Sequence, residues 1–272
     1  MGVINATPDS FSGDGLGSEE DPVQTAVKQG KQFVADGAHL LDVGGESTRP
    51  GATLVAAELE LQRVTPVIEA LAEAVNVPIS VDTSKAQVAQ SALAAGASIV
   101  NDVWGLKRDS ELAYVVAAQG AALIIMHNRS RNDEASADGR LGSRYVRSEY
   151  DVLLADIRRE LKESIALAHA AGIPDEKIVL DPGIGFGKTV KQNRRLLNEL
   201  GNLKELGYPL LIGPSRKSFI GYTLDLPLDD RLEGTAAAVA VGITRGADIV
   251  RVHDVRAMAR VARMTDALVR TA

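Results

Sequence analysis

Aspartate, asparagine and cationic side chains in this chain fall where short apolar runs stop. Asn5 closes the first run, Asp82 and Asn101 close the third and fourth, and Asp181 closes the sixth. Taken singly, an Asp at such a position caps a helix or a turn. Three amide or carboxylate groups around one rim ask for more: they supply acceptors and an amide donor suited to a flat heterocycle with several N–H groups. The cations follow the same rule, with Arg49, Lys217, Arg251 and His253 at run ends or just beyond them. Arg251 and His253 are two apart and therefore share one face of a strand. Such groups would clamp a phosphate or carboxylate. Arg49 has a plainer reading as an ion-pair partner of Glu46.

The elements that must position these residues are legible as eight apolar runs: Gly2 to Asn5, His39 to Val43, Pro78 to Asp82, Ser98 to Asp102, Ala122 to His127, Lys177 to Asp181, Pro209 to Gly213 and Asp248 to His253. Each has strand length and is mostly β-branched or Leu. Stretches rich in Ala, Leu, Glu, Lys and Arg with helical periodicity separate them. Regular strand–helix alternation predicts an α/β fold, a single-domain (β/α)8 TIM barrel spanning residues 1–272, with chemistry at the C-terminal rim. The length of 272 residues and 45% hydrophobic content suit one large core. No linker or low-complexity tract divides the chain, although residues 128–147 read as a long polar loop.

Composition excludes several classes of function. Cysteine is absent, which removes a disulfide framework, a thiolate nucleophile and a Cys-rich metal site, and fits a cytoplasmic protein. A formal net charge of −6 argues against broad binding to nucleic acid or an anionic membrane, so an anionic ligand must be held by a few local cations. No apolar stretch approaches membrane-spanning length, and Met1 leads almost directly into a strand, so no signal peptide is expected.

Asp181-Pro182-Gly183-Ile184-Gly185-Phe186-Gly187-Lys188-Thr189 imitates two nucleotide motifs and satisfies neither. A phosphate loop needs Gly at 182, and a dinucleotide fingerprint needs Gly at 188. The better reading is a turn that brings backbone close to a ligand beside Phe186, with Lys188 in solvent. The loops after strands seven and eight commonly hold phosphate in such barrels, which favours a phosphorylated or pyrophosphorylated ligand. His39 and His169 read as structural, His127 stands at the rim without an evident partner, Trp104 packs, and Met126 is a pocket wall.

Five strings, residues 5–12, 42–51, 181–189, 215–219 and 251–254, occur in order along nearly the whole chain and together resemble the dihydropteroate synthases, within the wider pterin-binding superfamily. The resemblance implies a (β/α)8 barrel that joins 7,8-dihydropterin-6-ylmethyl diphosphate to 4-aminobenzoate, releasing dihydropteroate and pyrophosphate. It implies a pterin pocket of Asp82, Asn101, Asp181 and Lys217, walled by Met126, Phe186 and Gly213. It implies Asn5, Arg251 and His253 on the diphosphate, with Mg2+ bound through Asn5 and phosphate oxygens. Phe11, Thr48, Arg49 and Pro50 would close over 4-aminobenzoate with Phe186, Lys217 and Ser218. Asp82, Asp181, Lys217, Arg251 and His253 would carry the catalysis. A cytoplasmic homodimer and a sulfonamide target are implied as well.

The chain departs from the family pattern in three places. The family has residues ahead of its first strand, the first loop reads Ser12-Gly13-Asp14-Gly15 in place of a commoner Ser-Asp-Gly-Gly, and Met126-His127-Asn128-Arg129 replaces Met-His-Met-Gln. Asp14, His127 and Arg129 are thereby left without roles. Two rivals use the same barrel: a methyltransferase domain that holds methyltetrahydrofolate, which would not need the Ser215-Arg216-Lys217 string or the Arg251/His253 pair, and a catalytically silent pterin-binding module.

Overall fold

The structure, a computed structural model, describes residues 1–6, 21–47, 54–131, 134–136 and 138–270. Six parallel strands form one continuous sheet in sequence order: β1 (Gly2–Asn5), β2 (Leu41–Gly44), β3 (Ile79–Asp82), β4 (Ile99–Asp102), β5 (Ala122–Met126) and β6 (Ile178–Asp181). Two short parallel strands, β7 (Leu211–Ile212) and β8 (Ile249–Val250), complete the ring. The Leu180 amide donates to Pro209 O at 2.9 Å, and the Val3 amide donates to Val252 O at 3.1 Å, with parallel bridges Leu180↔Leu210 and Gly2↔Val252. These bonds close the sheet on itself, so the expected barrel is what the chain forms.

Each of the eight expected runs contains a strand; the first matches β1 in full and the others are shorter than expected. His39, expected to open the second, is exposed and lies outside β2, which starts at Leu41 alongside its partner Gly2. The last two runs make ladders of two residues each, extended only by single bridges.

Helices separate the strands, with two between β7 and β8: α1 (Pro22–Ala35), α2 (Ala57–Ala74), α3 (Ala86–Ala94), α4 (Leu112–Ala118), α5 (Leu153–Ala170), α6 (Val190–Asn198), α7 (Ser218–Leu224), α8 (Leu232–Thr244) and α9 (Val255–Val269). Alternate strand residues such as Ile4, Val43, Val81, Val100, Ile125 and Leu180 point outward and pack beneath these helices. Burial of each such side chain contributes about 1.5–3 kcal/mol. The opposite parity fills the barrel: Met1, Ile124 and Leu211 cluster with Leu40, Ile99, Val179 and Ile249. Two residues further along each strand, the same inward parity delivers Asp42, Asn101, Met126, Asp181, Gly213 and Arg251. The lower plug is apolar in this cluster, and the charged set gathers at the C-terminal end. The loop expected over 128–147 carries a short antiparallel ladder, Ala135–Ser136 with Arg144–Tyr145.

Candidate active site

The floor of the site is a charge network across the barrel. The Arg251 guanidinium donates through Nε to Asp42 Oδ2 at 2.6 Å and through Nη2 to Asp82 Oδ2 at 2.8 Å. Asn101 Nδ2 donates to Asp42 Oδ2 at 3.3 Å. Asp42 is fully buried, and Asp82 and Asn101 nearly so. Burial pushes the Asp82 carboxyl up to about 7; Arg251 opposes the rise and the Asp42 charge reinforces it. Burial would lower the Arg251 guanidinium, but Asp42 and Asp82 outweigh it and hold it above its usual range. Asp42 was legible only as the head of a polar loop. Its signal was parity, because it stands two residues before Gly44, the partner of Asp82 in the β2–β3 ladder.

Asp181 sits opposite Met126 in the β5–β6 ladder and is buried. Its Oδ1 accepts the Gly183 amide at 2.7 Å. Burial drives its carboxyl up to about 6, against that hydrogen bond and the charges of Lys217, Lys188 and Arg251. The turn beyond it relies on glycine. Gly183 has φ +72, and a Cβ there would come within 1.9 Å of His127 O. Gly185 has φ +85 and leaves room for the Lys217 stem. The turn delivers the Phe186 ring 4.0 Å from Lys217 Nζ, a cation–π contact at the pocket edge. Lys217 precedes α7, and Ser218 is that helix's first residue.

Lys188 is not in solvent as its sequence context suggested: it is 2% exposed. Its ammonium lies 3.0 Å from Gly183 O, 2.9 Å from Phe186 O and 3.0 Å from His127 Nδ1. Three acceptors around three N–H donors explain how the charge survives burial. Desolvation still draws it down to about 7. Thr189, the other half of the false phosphate motif, caps α6 in a reciprocal capping box with Gln192. His127 does have partners: beyond Lys188, its Nε2 lies 3.0 Å from Glu160 Oε2. Arg129 pairs with the same Glu160 and lies over the Tyr150 ring at 4.4 Å. Trp104 faces the Arg108 guanidinium at 3.8 Å, so it packs against a neighbour within its own loop.

His253 stands past β8 with its Nδ1 3.0 Å from Ser215 Oγ, and the same Oγ accepts the His253 amide at 3.2 Å. When the Ser215 hydroxyl donates to Nδ1, the imidazole proton sits on Nε2. Burial, followed by the charges of Arg251, Arg216 and Lys217, pushes the imidazole down to about 3. It is therefore a neutral donor near pH 7. Arg216 holds the neighbouring Asp254 with two bonds of 2.9 and 2.6 Å, tying the β7 and β8 loops together. Asn5 ends β1, paired with Gly44. Glu46, at the base of the second loop, pairs with Lys85, which also holds Glu60. Phe11, Asp14, Thr48, Arg49 and Pro50 lie outside the described residues.

This arrangement is chemically suited to a donor-rich heterocycle deep in the barrel and an anion at its mouth. Comparison with known proteins shows the family. The model of the family described as "Pterin binding enzyme" matches residues 1–253. The dihydropteroate synthase of Clostridium beijerinckii is 47% identical over 271 residues, covering 99% of this chain and 94% of that protein. A crystal structure of the Clostridium difficile dihydropteroate synthase in the presence of pteroic acid superposes with a TM-score of 0.89 at 45% identity, covering 99% of this chain and 96% of that one. The Xanthomonas albilineans dihydropteroate synthase with 4-aminobenzoic acid gives a TM-score of 0.88 at 40% identity, covering 98% and 91%.

Proposed function

This chain belongs to the pterin-binding enzymes, among the dihydropteroate synthases, and on that premise we propose how its residues divide the work of joining a dihydropterin to 4-aminobenzoate. The reaction is a transferase step: the arylamine nitrogen bonds to the pterin methylene carbon, the carbon–oxygen bond breaks with its electron pair going to the diphosphate, and the amine gives up one proton. The observation that carries the assignment is the buried Asp42–Arg251–Asp82–Asn101 network with Asp181 beside it. It presents carboxylate oxygens that can accept further bonds beyond those made within the protein, which suits a ligand rich in N–H donors.

An arylamine is already a nucleophile, so no strong base is required. The difficulty lies in the leaving group, because negative charge builds on the diphosphate while positive charge develops on the methylene. Asp82 and Asp181 face the second charge, and Arg251, Lys217 and the Nε2–H of His253 face the first. Met126, Phe186 and Gly213 line the ring, and Ser218 joins Phe186 and Lys217 around 4-aminobenzoate. The resemblance would add Phe11, Thr48, Arg49 and Pro50, which lie outside the described residues. Exclusion of water by these groups protects a cation-like methylene from capture, which favours a dissociative substitution.

Among the described residues no group of three His, Asp or Glu side chains could hold a metal by itself. Asn5 offers one neutral oxygen at the rim. That donor set fits Mg2+ brought in with the diphosphate, since Mg2+ keeps several waters and takes substrate phosphates as ligands. Bound there, Mg2+ would neutralise charge on the leaving diphosphate. A homodimer is supported by apolar side chains left exposed along α8 and α9, namely Val241, Met264, Leu268 and Val269. No helix among the described residues is long and apolar enough to cross a membrane. A cytoplasmic location accords with the lack of cysteine.

The test is to incubate the protein with dihydropterin diphosphate, 4-aminobenzoate and Mg2+, following pyrophosphate and dihydropteroate together. Equal formation of both establishes the activity. Pyrophosphate alone would mean the cation forms but the 4-aminobenzoate side fails, and neither product would return weight to the methyltransferase or silent-binder readings.

A further inference from the structure

Behind the substrate pocket lies a second buried polar cluster that the reaction does not use. Lys188 is its centre, caged by Gly183 O, Phe186 O and His127 Nδ1. His127 Nδ1 faces an ammonium and so accepts, which places its proton on Nε2 for donation to Glu160 Oε2 at 3.0 Å. Arg129 closes the row on the far side of Glu160. The same turn is held from a third direction, as Tyr150 Oη donates to Gly187 O at 3.0 Å and the Ser148 hydroxyl donates to the same oxygen.

We propose that Lys188, backed by His127 and Glu160, is the positioning residue of the β6 turn, fixing the Phe186 ring and the Asp181 carboxylate for their substrates. The inference rests on the reading of Asp181 and Phe186 as substrate contacts. The geometry gives the ammonium a specific task. It bonds to the carbonyls of Gly183 and Phe186, the residue whose amide holds Asp181 and the residue whose ring meets Lys217. A turn with glycine at 183, 185 and 187, all at positive φ, has wide backbone freedom at three positions, so its shape depends on the bonds its carbonyls accept. An apolar residue at 188 would strip Phe186 O of its ammonium donor and leave Gly183 O with the Phe186 amide alone, at 3.1 Å. His127, buried and held by Glu160, sets where the ammonium sits, which ties the end of β5 to the turn after β6.

The experiment is fluorine NMR on protein carrying 4-fluorophenylalanine at its four Phe positions, with Phe186 assigned by Phe186→Leu, alongside kinetics. Lys188→Met should shift and broaden the Phe186 signal while those of Phe33 and Phe219, packed in the helical shell, stay put. It should raise KM for 4-aminobenzoate by about tenfold or more, the equivalent of one charge-assisted hydrogen bond. Lys188→Arg, which keeps the charge and the donors, should recover part of both effects. An unmoved Phe186 signal with unchanged KM values in folded Lys188→Met overturns the proposal.

If Lys188→Met loses all its sharp signals, His127→Gln carries the test, because Gln reproduces the Nε2 donor to Glu160 and deletes the Nδ1 acceptor. A Phe186 signal unmoved in that variant also overturns the proposal. Phe186→Ala separates the two layers of the argument. Unchanged KM values there would remove the substrate-contact reading while leaving the fluorine shift in place.

Discussion

Replacing Gly183 by Ala tests how closely the β6 turn is built against the end of β5. The backbone there has φ +72, and an added Cβ would fall about 1 Å inside the 3.0 Å floor for real contacts, with His127 O as the obstacle. A carbonyl within a barrel strand end cannot swing away like a side chain, so the turn itself must move. Gly120 is the matched control, with φ +60 and nothing within 4 Å of the added carbon. Both substitutions cost about 1–2 kcal/mol for placing a side chain at positive φ. Only Gly183→Ala adds overpacking, worth about 1–3 kcal/mol or more. At roughly 2–4 °C in Tm per kcal/mol for a chain of this size, Gly183→Ala should melt well below Gly120→Ala. Activity should separate them further. A displacement near 1 Å takes the Gly183 amide from Asp181 and costs about a hundredfold in kcat/KM, whereas Gly120→Ala should work normally. Thermal melts and steady-state kinetics on both variants check this. Equal Tm values with full activity in Gly183→Ala would refute the close approach and the role of the turn.

Three further outcomes follow from the same site. Asp42→Asn leaves Arg251 with one carboxylate in place of two, which should lower stability by about 3 kcal/mol in a denaturant melt and reduce kcat/KM at least tenfold. With Asp82 pushed up to about 7 and Asp181 to about 6, kcat/KM should rise with pH across that interval as both become the carboxylates that face the cation. The linked stability has the opposite sign. Both groups are raised above 3.8, so the folded chain keeps protons the unfolded chain releases, and their stabilising contribution at acid pH is lost as pH climbs through 6 and 7. A pH–rate profile flat from 5.5 to 8, or Asp82→Asn with unchanged turnover, would remove the cation-stabilising role. Ser215→Ala frees His253 to take the other tautomer, and KM for the dihydropterin diphosphate should rise several-fold with Tm held; an unchanged KM would dismiss the hydroxyl as an orienting group.

Strand ends were the readable part of this molecule because inward parity and rim position are local properties of an apolar run. Asp82, Asn101, Asp181 and Arg251 all fall where the alternation places them. Pairing was less readable. Nothing local in the sequence shows that Asp42 and Arg251 meet, since they are 209 residues apart and come together only when β8 closes against β1. Lys188 misled for a related reason: after three glycines and before a helix, a lysine has every local mark of solvent exposure. Only the turn's curl, which aims two of its own carbonyls at the side chain beside His127, makes burial feasible.

The distribution of charge discriminates between the pterin-binding readings of this barrel. Asp42, Asp82 and Asp181 lie within it, whereas Lys217 and His253 stand beyond β7 and β8, with Arg251 bridging the two zones. A ligand that merely inserts a heterocycle uses the carboxylates and has no use for the cations. A ligand that splits into a carbocation-like ring fragment and a polyanion uses both, each end facing the opposite sign as its charge grows. His253 sharpens the point. A protonated imidazole would bind substrate and departing diphosphate through bulk charge, while a neutral one fixed by Ser215 offers a single aimed donor. Aimed donors favour the geometry in which charge is localised on the leaving oxygen, so they act more on the transition state than on the ground state. A methyl-transferring relative, whose departing group carries no diphosphate, has no corresponding need for that donor or for the lysine beside it.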